Sequence, residues 1–278
     1  MINQFRSQRI TFVICSLRPG GAEQVIARMA AYWVDKGWDI TILTLDNATG
    51  EDIVPLDGRV NHQALDAVGQ SPDLVSALRQ NFDRVQRLRR AILASRPDAV
   101  ISFIEMTNVL TRLATLGLGI PVILSERSNP ALEPVERTWE MLRQWLYPGA
   151  DAIVFQTARA QAHFSQRIQA RSRVIPNPVL PPTYPTRPKP KNEPKLVLGL
   201  GRLIQRKGHD LLMNAFALAA ATDMTGNCKL LGKGKRVPSW KRLGIPLWRK
   251  TLVCDRAFIC LGRSPMAERF WRRRICLC

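Results

Sequence analysis

Apolar positions in the first 221 residues alternate between two periods, one typical of buried strands and one typical of amphipathic helices. Residues 9–17 (RITFVICSL) form a nearly continuous β-branched and apolar run, as expected of a strand buried on both faces. A Pro-Gly-Gly break follows, and residues 22–36 carry apolar side chains at helical spacing. The predicted strands are 9–17, 38–45, 60–65, 97–103, 120–125, 150–155 and 173–175, and the predicted helices are 22–36, 71–95, 107–116, 133–147 and 158–166.

This alternation predicts an α/β fold with a doubly wound parallel sheet, in which ligands bind at the carboxyl ends of the strands. The pattern divides the chain into four parts. Residues 1–176 form a complete Rossmann-like domain, and the proline-rich stretch 177–194 is an extended linker. Residues 195–221 hold one strand and one helix of a second Rossmann-like domain, and 222–278 form a tail of a different character.

Charge is distributed unevenly between these parts. The chain has a formal net charge of +19, of which residues 222–278 contribute +11 from 14 basic and 3 acidic side chains. Five of the six cysteines also lie in this tail. Because of this strong positive charge, an alternative interpretation is a basic nucleic-acid-binding protein on a Rossmann-like fold. A module that holds a lipid-linked acceptor without chemistry is a third possibility.

The sequence lacks the features of a secretory signal and of a membrane span, because its longest apolar runs are too short. A lone cysteine in the first 221 residues fits a reducing compartment. We therefore expect a cytoplasmic protein, and a peripheral position on the inner face of the cytoplasmic membrane is left open at this level. The three histidines lack companions at metal-ligand spacing, so no metal site is predicted.

Two loops contain candidate residues for binding an anionic ligand. Gly20 and Gly21 follow the first predicted strand and begin its helix, where backbone N–H groups can approach an anionic ligand. Arg202 and Lys207 lie between the strand and the helix of the second domain, where two cations can reach one diphosphate. Taken singly, the first is equally explained by a tight turn and the second by a solvated basic loop.

Together these segments resemble the GT-B glycosyltransferases of family 4, which use nucleotide sugars and retain anomeric configuration. The matching segments are GGAE at 20–23, ILSERSN at 123–129, DAIVF at 151–155, VIPNP at 174–178 and GRLIQRKGHDLLMNAFA at 201–217. Within the family, SFIEMTN at 102–108 together with ILSERSN and residues 137–148 is similar to the bacterial enzymes that add N-acetylgalactosamine to undecaprenyl-diphosphate-linked glycans.

The resemblance implies a role for each matched position. Arg202 and Lys207 would stabilise the diphosphate leaving group of a UDP-sugar. The implied substrate-binding residues are Gly20, Gly21, Glu23, Glu126, Arg127 and Asn129. Glu126 and Arg127 would touch the acceptor, a lipid-linked glycan or saccharide precursor, although many relatives have histidine where this chain has Arg127. The nucleotide-sugar donor replaces any cofactor, and neither a metal nor nucleic acid is expected.

The predicted helix around 137–147 combines basic and aromatic residues. Arg137, Trp139, Arg143 and Trp145 would form a membrane-facing surface, because basic and aromatic side chains together suit an anionic interface. Packing of Trp139 and Trp145 against the core explains the same spacing, so both interpretations remain open at this level.

The resemblance ends at residue 221. The five tail cysteines lack zinc-type spacing. Our hypothesis is a shift of reading frame near 221–223, whose reversal would restore glutamate-rich segments of the family's second domain. We therefore expect 222–278 to be an out-of-frame, poorly ordered tail. The segment that holds the donor sugar would then be missing, and the 278-residue chain would have little or no transferase activity.

Overall fold

The computed structural model describes residues 7–47, 54–67, 74–128, 130, 134–179, 195–201, 207–221, 226–231 and 258–261. The chain divides into two units, Met1–Pro181 and Pro182–Cys278. The boundary falls inside the proline-rich stretch that the sequence identifies as a linker. Each unit is described separately below.

Unit 1 is built on a parallel sheet. In its described residues the strands are β1 (Arg9–Ile14), β2 (Asp39–Thr44), β3 (Asn61–Ala64), β4 (Ala99–Phe103), β5 (Val122–Ser125), β6 (Ala152–Phe155) and β7 (Ser172–Val174). The helices are α1 (Gly21–Val34), α2 (Leu74–Ser95), α3 (Glu105–Thr115), α4 (Arg137–Leu146), α5 (Ala158–Gln161) and α6 (Gln166–Ala170). The sequence predicted one helix over 158–166, whereas the structure has two short helices there, and Thr157 caps the first of them.

The seven strands described in unit 1 lie in the order β3-β2-β1-β4-β5-β6-β7, and neighbouring strands are parallel. The chain therefore moves outward from β1 in one direction and, after α2, from β4 in the other. This arrangement confirms the predicted α/β fold with a doubly wound sheet. It places a topological switch point between β1 and β4, where ligand crevices form in such sheets.

Both faces of the sheet are covered, and successive side chains of β1 belong to two different core clusters. Phe12 packs with α1 on one face and stacks on Trp33 at a centroid distance of 5.5 Å. Val13 packs on the other face with Leu88 and Ile92 of α2. A third cluster joins α4, β5 and β6 around the buried side chains of Tyr147 and Phe155. The apolar run of β1 thus reflects burial from two sides.

Unit 2 contains β8 (Lys195–Leu200), α7 (His209–Ala221), β9 (Gly226–Leu231) and β10 (Phe258–Leu261) among its described residues. Strands β8 and β9 are parallel, and β10 is antiparallel to β9. Helix α7 lies between the parallel strands β8 and β9 in the chain, so β8–α7–β9 is a crossover unit. That this unit begins a second Rossmann-like domain stays a prediction. Strands β9 and β10 lie within 222–278, and the poor order of this tail as a whole stays a prediction.

Candidate functional site

The loops that follow β1, β4 and β5 meet at the carboxyl edge of the unit 1 sheet, at the switch point. The chain leaves β4 through Ile104, whose φ of 76° is unusual for a β-branched residue, and α3 begins at the next residue. Such strained backbone is concentrated at functional sites. The predicted acceptor residues of the segment 126–129 follow β5, the neighbour of β4.

Gly20 and Glu23 are in contact at the start of α1. Gly20 is the N-cap residue, and the Glu23 side chain folds back over it, so that a Cβ on residue 20 would lie 2.9 Å from the Glu23 carboxyl carbon. At Gly21 the same position is open, with no atom within 4 Å. The glycine at position 20 therefore admits a carboxylate of the chain itself to the positive end of the helix.

Arg127 is the cation of this edge. Its guanidinium lies 5.4 Å from the Phe103 ring centroid and donates hydrogen bonds to Asn177 Oδ1 and, at 3.5 Å, to Ser125 Oγ. Burial lowers the pKa of Arg127, and the negative charge of Glu23 opposes that shift. The structure thus places Arg127 within electrostatic reach of Glu23, which contacts Gly20, although the two loops are more than a hundred residues apart in sequence.

Glu126 does not face a ligand, which corrects the expectation that it touches the acceptor. Its side chain is only 1% exposed and accepts a 2.7 Å hydrogen bond from the Tyr147 hydroxyl. Burial raises the pKa of Glu126 to about 7, while the positive charge of Arg143 and the Tyr147 hydrogen bond act to lower it. The carboxyl group points into the core because Tyr147 and Arg143 lie beneath the end of β5.

Arg143 is likewise buried, at 1% exposed, so its assignment to a membrane-facing surface is wrong. It forms an ion pair with Glu140, lies 3.7 Å from Glu126 Oε1, and its guanidinium is 4.7 Å from the Phe164 ring centroid. The buried Glu126 and Phe164 and the partly exposed Glu140 together hold this cation.

Helix α4 has two faces, and the structure divides the predicted membrane residues between them. Trp139 packs against the core, with Leu142 and Leu146 on the same side, which corrects its membrane assignment. Arg137 and Trp145 are exposed, Trp145 at 73%. Met141, which the sequence analysis did not single out, lies one turn from each and is 70% exposed. We call Arg137, Met141 and Trp145 the α4 stripe.

The sequence analysis also missed Asn108 and Tyr147, which are fully buried and hydrogen-bonded to each other below the site. A tyrosine at a helix end and an asparagine within a helix carry no signal that distinguishes them from ordinary core and surface residues. Their shared position depends on the packing of α3 against α4, which no local pattern reveals.

In unit 2, Lys207 is exposed just before α7, as expected of a cation available to a diphosphate. Its Cδ atom and the His209 ring lie 3.9 and 3.7 Å from the position that a Cβ on Gly201 would take. Arg202 and Asn129 lie outside the described residues. The part of the chain that the structure describes contains no group of three metal-ligating side chains and no helix suited to crossing a membrane.

Comparisons with known proteins agree with this architecture. The profile of the glycosyl transferase 4-like domain matches residues 20–179, more than half of the chain. A curated relative from Campylobacter jejuni, named as an α-1,4-N-acetyl-D-galactosaminyltransferase acting on a diNAcBac-PP-undecaprenol-linked glycan, is 29% identical over 210 residues. That alignment covers 75% of this chain and 56% of the relative. A Haemophilus influenzae protein named as an uncharacterized glycosyltransferase is also similar, and the alignment covers 65% of its length.

Two solved structures share the fold. Sucrose-phosphate synthase from Thermosynechococcus elongatus superposes with a TM-score of 0.64 at 15% identity, over 84% of this chain and 65% of that one. The HepE protein of Anabaena, solved with UDP and glucose, has a TM-score of 0.59 at 16% identity, over 84% of this chain and 63% of its own. These findings confirm the resemblance to GT-B glycosyltransferases, and the chain belongs to the glycosyl transferase 4-like family.

Proposed function

We propose that this protein derives from a retaining glycosyltransferase that transfers a sugar from a UDP-sugar to a lipid-linked glycan. The family membership supports transfer of a sugar, and the name of the Campylobacter relative supports a polyprenyl-diphosphate-linked acceptor. The UDP and glucose bound to the Anabaena neighbour support a UDP-sugar donor. The chain spans 56% and 65% of the length of the two curated relatives. The activity of a whole transferase is therefore proposed from a match to part of its length.

The observation that carries the proposal is the position of Arg127 at the switch point of unit 1. Its guanidinium is held against Phe103 and Asn177, close enough to Glu23 for electrostatic interaction. A preoriented guanidinium beside a glycine turn can hold the hydroxyl groups or the diphosphate of an acceptor with charge-assisted hydrogen bonds. We therefore assign unit 1 to the acceptor.

Donor chemistry would fall to Arg202 and Lys207. In a retaining transfer the bond from the anomeric carbon to the diphosphate breaks, and the acceptor oxygen bonds to that carbon on the same face. The hydroxyl proton passes to the departing diphosphate oxygen, so the step needs no protein nucleophile. Two cations would stabilise the charge that grows on the diphosphate. The exposed Lys207 at the beginning of α7 is available for this contact.

We further propose that the 278-residue chain has little or no transferase activity. The support is the character of residues 222–278, with their +11 charge and five cysteines, where resemblance to the family has ended. A reading-frame shift near 221–223 would produce this composition from a glutamate-rich coding text. The genomic nucleotide sequence from the codon of Phe216 onward, read in three frames, tests the shift directly. Measurable turnover of a UDP-sugar by the purified chain would contradict the proposed inactivity.

Acceptor binding can be tested on the same chain without turnover. We expect Arg127→Ala to weaken binding of a short prenyl-diphosphate-linked N-acetylgalactosamine, measured by calorimetry, about tenfold or more, because a charge-assisted contact contributes roughly 1.5–3 kcal/mol. Arg28→Ala, an exposed position in the middle of α1, is the matched control and should leave the affinity unchanged. Equal affinity of the Arg127→Ala variant and the unsubstituted chain would overturn the assignment of unit 1 to the acceptor.

A lipid-linked acceptor requires the protein to work at a membrane, and we propose that the α4 stripe contacts it. Met141 and Trp145 expose apolar area on the same side of the helix as Arg137. An aromatic residue at the headgroup level beside a cation suits an anionic lipid surface. The buried Arg143 and the core-packed, partly buried Trp139 have no part in this contact.

Vesicle flotation tests the membrane contact. We expect the chain to float with phosphatidylglycerol-containing vesicles and the double variant Met141→Ser, Trp145→Ser to remain largely in solution, because buried apolar area drives insertion. Tyr32→Ser removes a comparably exposed aromatic residue from α1 and serves as the control. Undiminished flotation of the double variant would exclude the α4 stripe as the contact.

A further inference from the structure

A cluster of buried polar side chains lies beneath the end of β5. It has no role in the substrate contacts proposed above. It consists of Asn108, Glu126, Arg143 and Tyr147, each at most 1% exposed. Burying polar and charged side chains costs free energy unless they are hydrogen-bonded, and apolar residues of similar volume often serve stability as well or better. The presence of this cluster therefore calls for a reason other than stability.

Hydrogen bonds link the cluster members to one another and to the end of β5. The Asn108 amide donates to the Tyr147 hydroxyl at 3.0 Å and to the main-chain oxygen of Ser125 at 3.2 Å. The Tyr147 hydroxyl donates in turn to Glu126 Oε2 at 2.7 Å. The main-chain N–H of Glu126 donates to Val154 O at 2.9 Å and extends the ladder with β6. The strand end is thus held through side chains from α3 and from the end of α4.

Arg127 follows immediately and points away from the cluster. Its guanidinium contacts Phe103 and Asn177, whereas the preceding Glu126 side chain is enclosed with Tyr147 and Arg143. Successive side chains in extended backbone project to opposite sides. At the end of β5 the two side chains likewise contact different partners, so the direction of one constrains the direction of the other.

We propose that Tyr147 is a positioning residue, whose hydrogen bond to Glu126 holds the end of β5 in the conformation that directs Arg127 toward the acceptor. The proposal rests on the proposed function in one respect, the assignment of Arg127 to the acceptor. Tyr147 acts through Glu126 and touches no substrate. Its partner Asn108 fixes the hydroxyl so that its proton is directed at the carboxyl group.

The charged groups around Glu126 make this hydrogen bond measurable. Arg143 and Tyr147 lower the pKa of Glu126, Glu105 and Glu140 raise it, and burial raises it most, to about 7. Loss of the Tyr147 hydroxyl would remove one stabilising partner of the carboxylate. The titration of Glu126 should then move to higher pH, a change that simple loss of packing would not produce.

The test compares Tyr147→Phe with Tyr32→Phe in the 278-residue chain, since Tyr32 is 60% exposed on α1. We expect Tyr147→Phe to raise the pH midpoint of the Glu126 carboxyl ¹³C resonance by about 0.5–1 unit, the equivalent of one hydrogen bond. The Arg127 Nε–H resonance should shift, and affinity for the prenyl-diphosphate probe should fall roughly three- to tenfold. Tyr32→Phe should change none of these readouts.

Substitution of Glu126 itself gives a second and independent test. Glu126→Gln keeps an oxygen that accepts from Tyr147 and should preserve the Arg127 resonance, whereas Glu126→Leu should shift it. Unchanged Arg127 resonances in both Tyr147→Phe and Glu126→Leu would overturn the proposal. The Arg127 resonance reports positioning without any acceptor, so failure of acceptor binding in the Arg127→Ala experiment would overturn the proposed function while the positioning role stays separately testable.

Discussion

The first strands of the two units have similar sequences and different surroundings. β1 (RITFVI) is buried along all but its first residue, with β2 and β4 on its edges and core clusters on both faces. β8 (KLVLGL) has the same kind of apolar pattern, yet Leu198 is 51% exposed. On α7, Leu211 and Leu218 are 69% and 74% exposed.

The difference shows that an apolar run predicts a strand but does not by itself bury it. In a doubly wound sheet, burial of a strand requires neighbours on both edges and helices on both faces. Unit 1 supplies all of these to β1. The described residues of unit 2 supply β8 with β9 on one edge, and Leu198, Leu211 and Leu218 are exposed.

The largest expected effect is on a matched leucine of unit 1. Leu88→Ala on α2 removes a side chain that is fully buried against β1. We expect it to lower the free energy of unfolding of unit 1 by roughly 2–5 kcal/mol, because transfer and cavity costs add. Native-state hydrogen exchange of the β1 amides, read separately from those of β8, measures this loss. A loss under about 1 kcal/mol would show that unit 1 is loosely packed.

An effect of intermediate size concerns the pH dependence of unit 1. Because the folded-state pKa of Glu126 is about 7, above the value of 4.5 for an exposed glutamate, the folded state holds a proton that the unfolded chain has lost between these values. Stability should therefore fall as pH rises from about 4.5 to 7 and then level off, by up to about 3 kcal/mol.

Glu126→Gln should abolish that slope, because the amide does not titrate. The measurement is the difference in unfolding free energy between the unsubstituted chain and the variant at pH 5, 6, 7 and 8, which cancels other titrating groups. Amides of unit 2 should show no such difference, since Glu126 belongs to unit 1. A constant difference across this range would contradict a buried, proton-holding Glu126.

The smallest expected effect is on the matched leucine of unit 2. Leu218→Ala on α7 removes a side chain that is 74% exposed and substitutes the best helix former. We expect a change of about 0.5 kcal/mol or less in the opening free energy of the α7 amides. A loss approaching that of Leu88→Ala would mean that Leu218 is covered in solution, and the contrast between the two units would disappear.

Local sequence patterns predicted much of the fold and part of the candidate site. The apolar runs located β1, β2, β4, β5 and β6, and the glycine pair located the beginning of α1. The chemistry of Glu126 and Arg143 was misread because a charged residue at a strand end or on an amphipathic helix normally faces solvent. Only the convergence of α3, α4 and β5 provides the buried partners that turn both side chains inward.

The sequence by itself determined which segments are strands and helices and that they alternate, because hydrophobic periodicity and turn residues act over a few neighbouring positions. It also carried the motifs that assign the family. The tertiary structure alone decided which of two adjacent residues, Glu126 and Arg127, is enclosed in the core, and which of two tryptophans on α4 is exposed. Those outcomes depend on partners distant in sequence, since burial and ionisation are properties of the surroundings that packing creates.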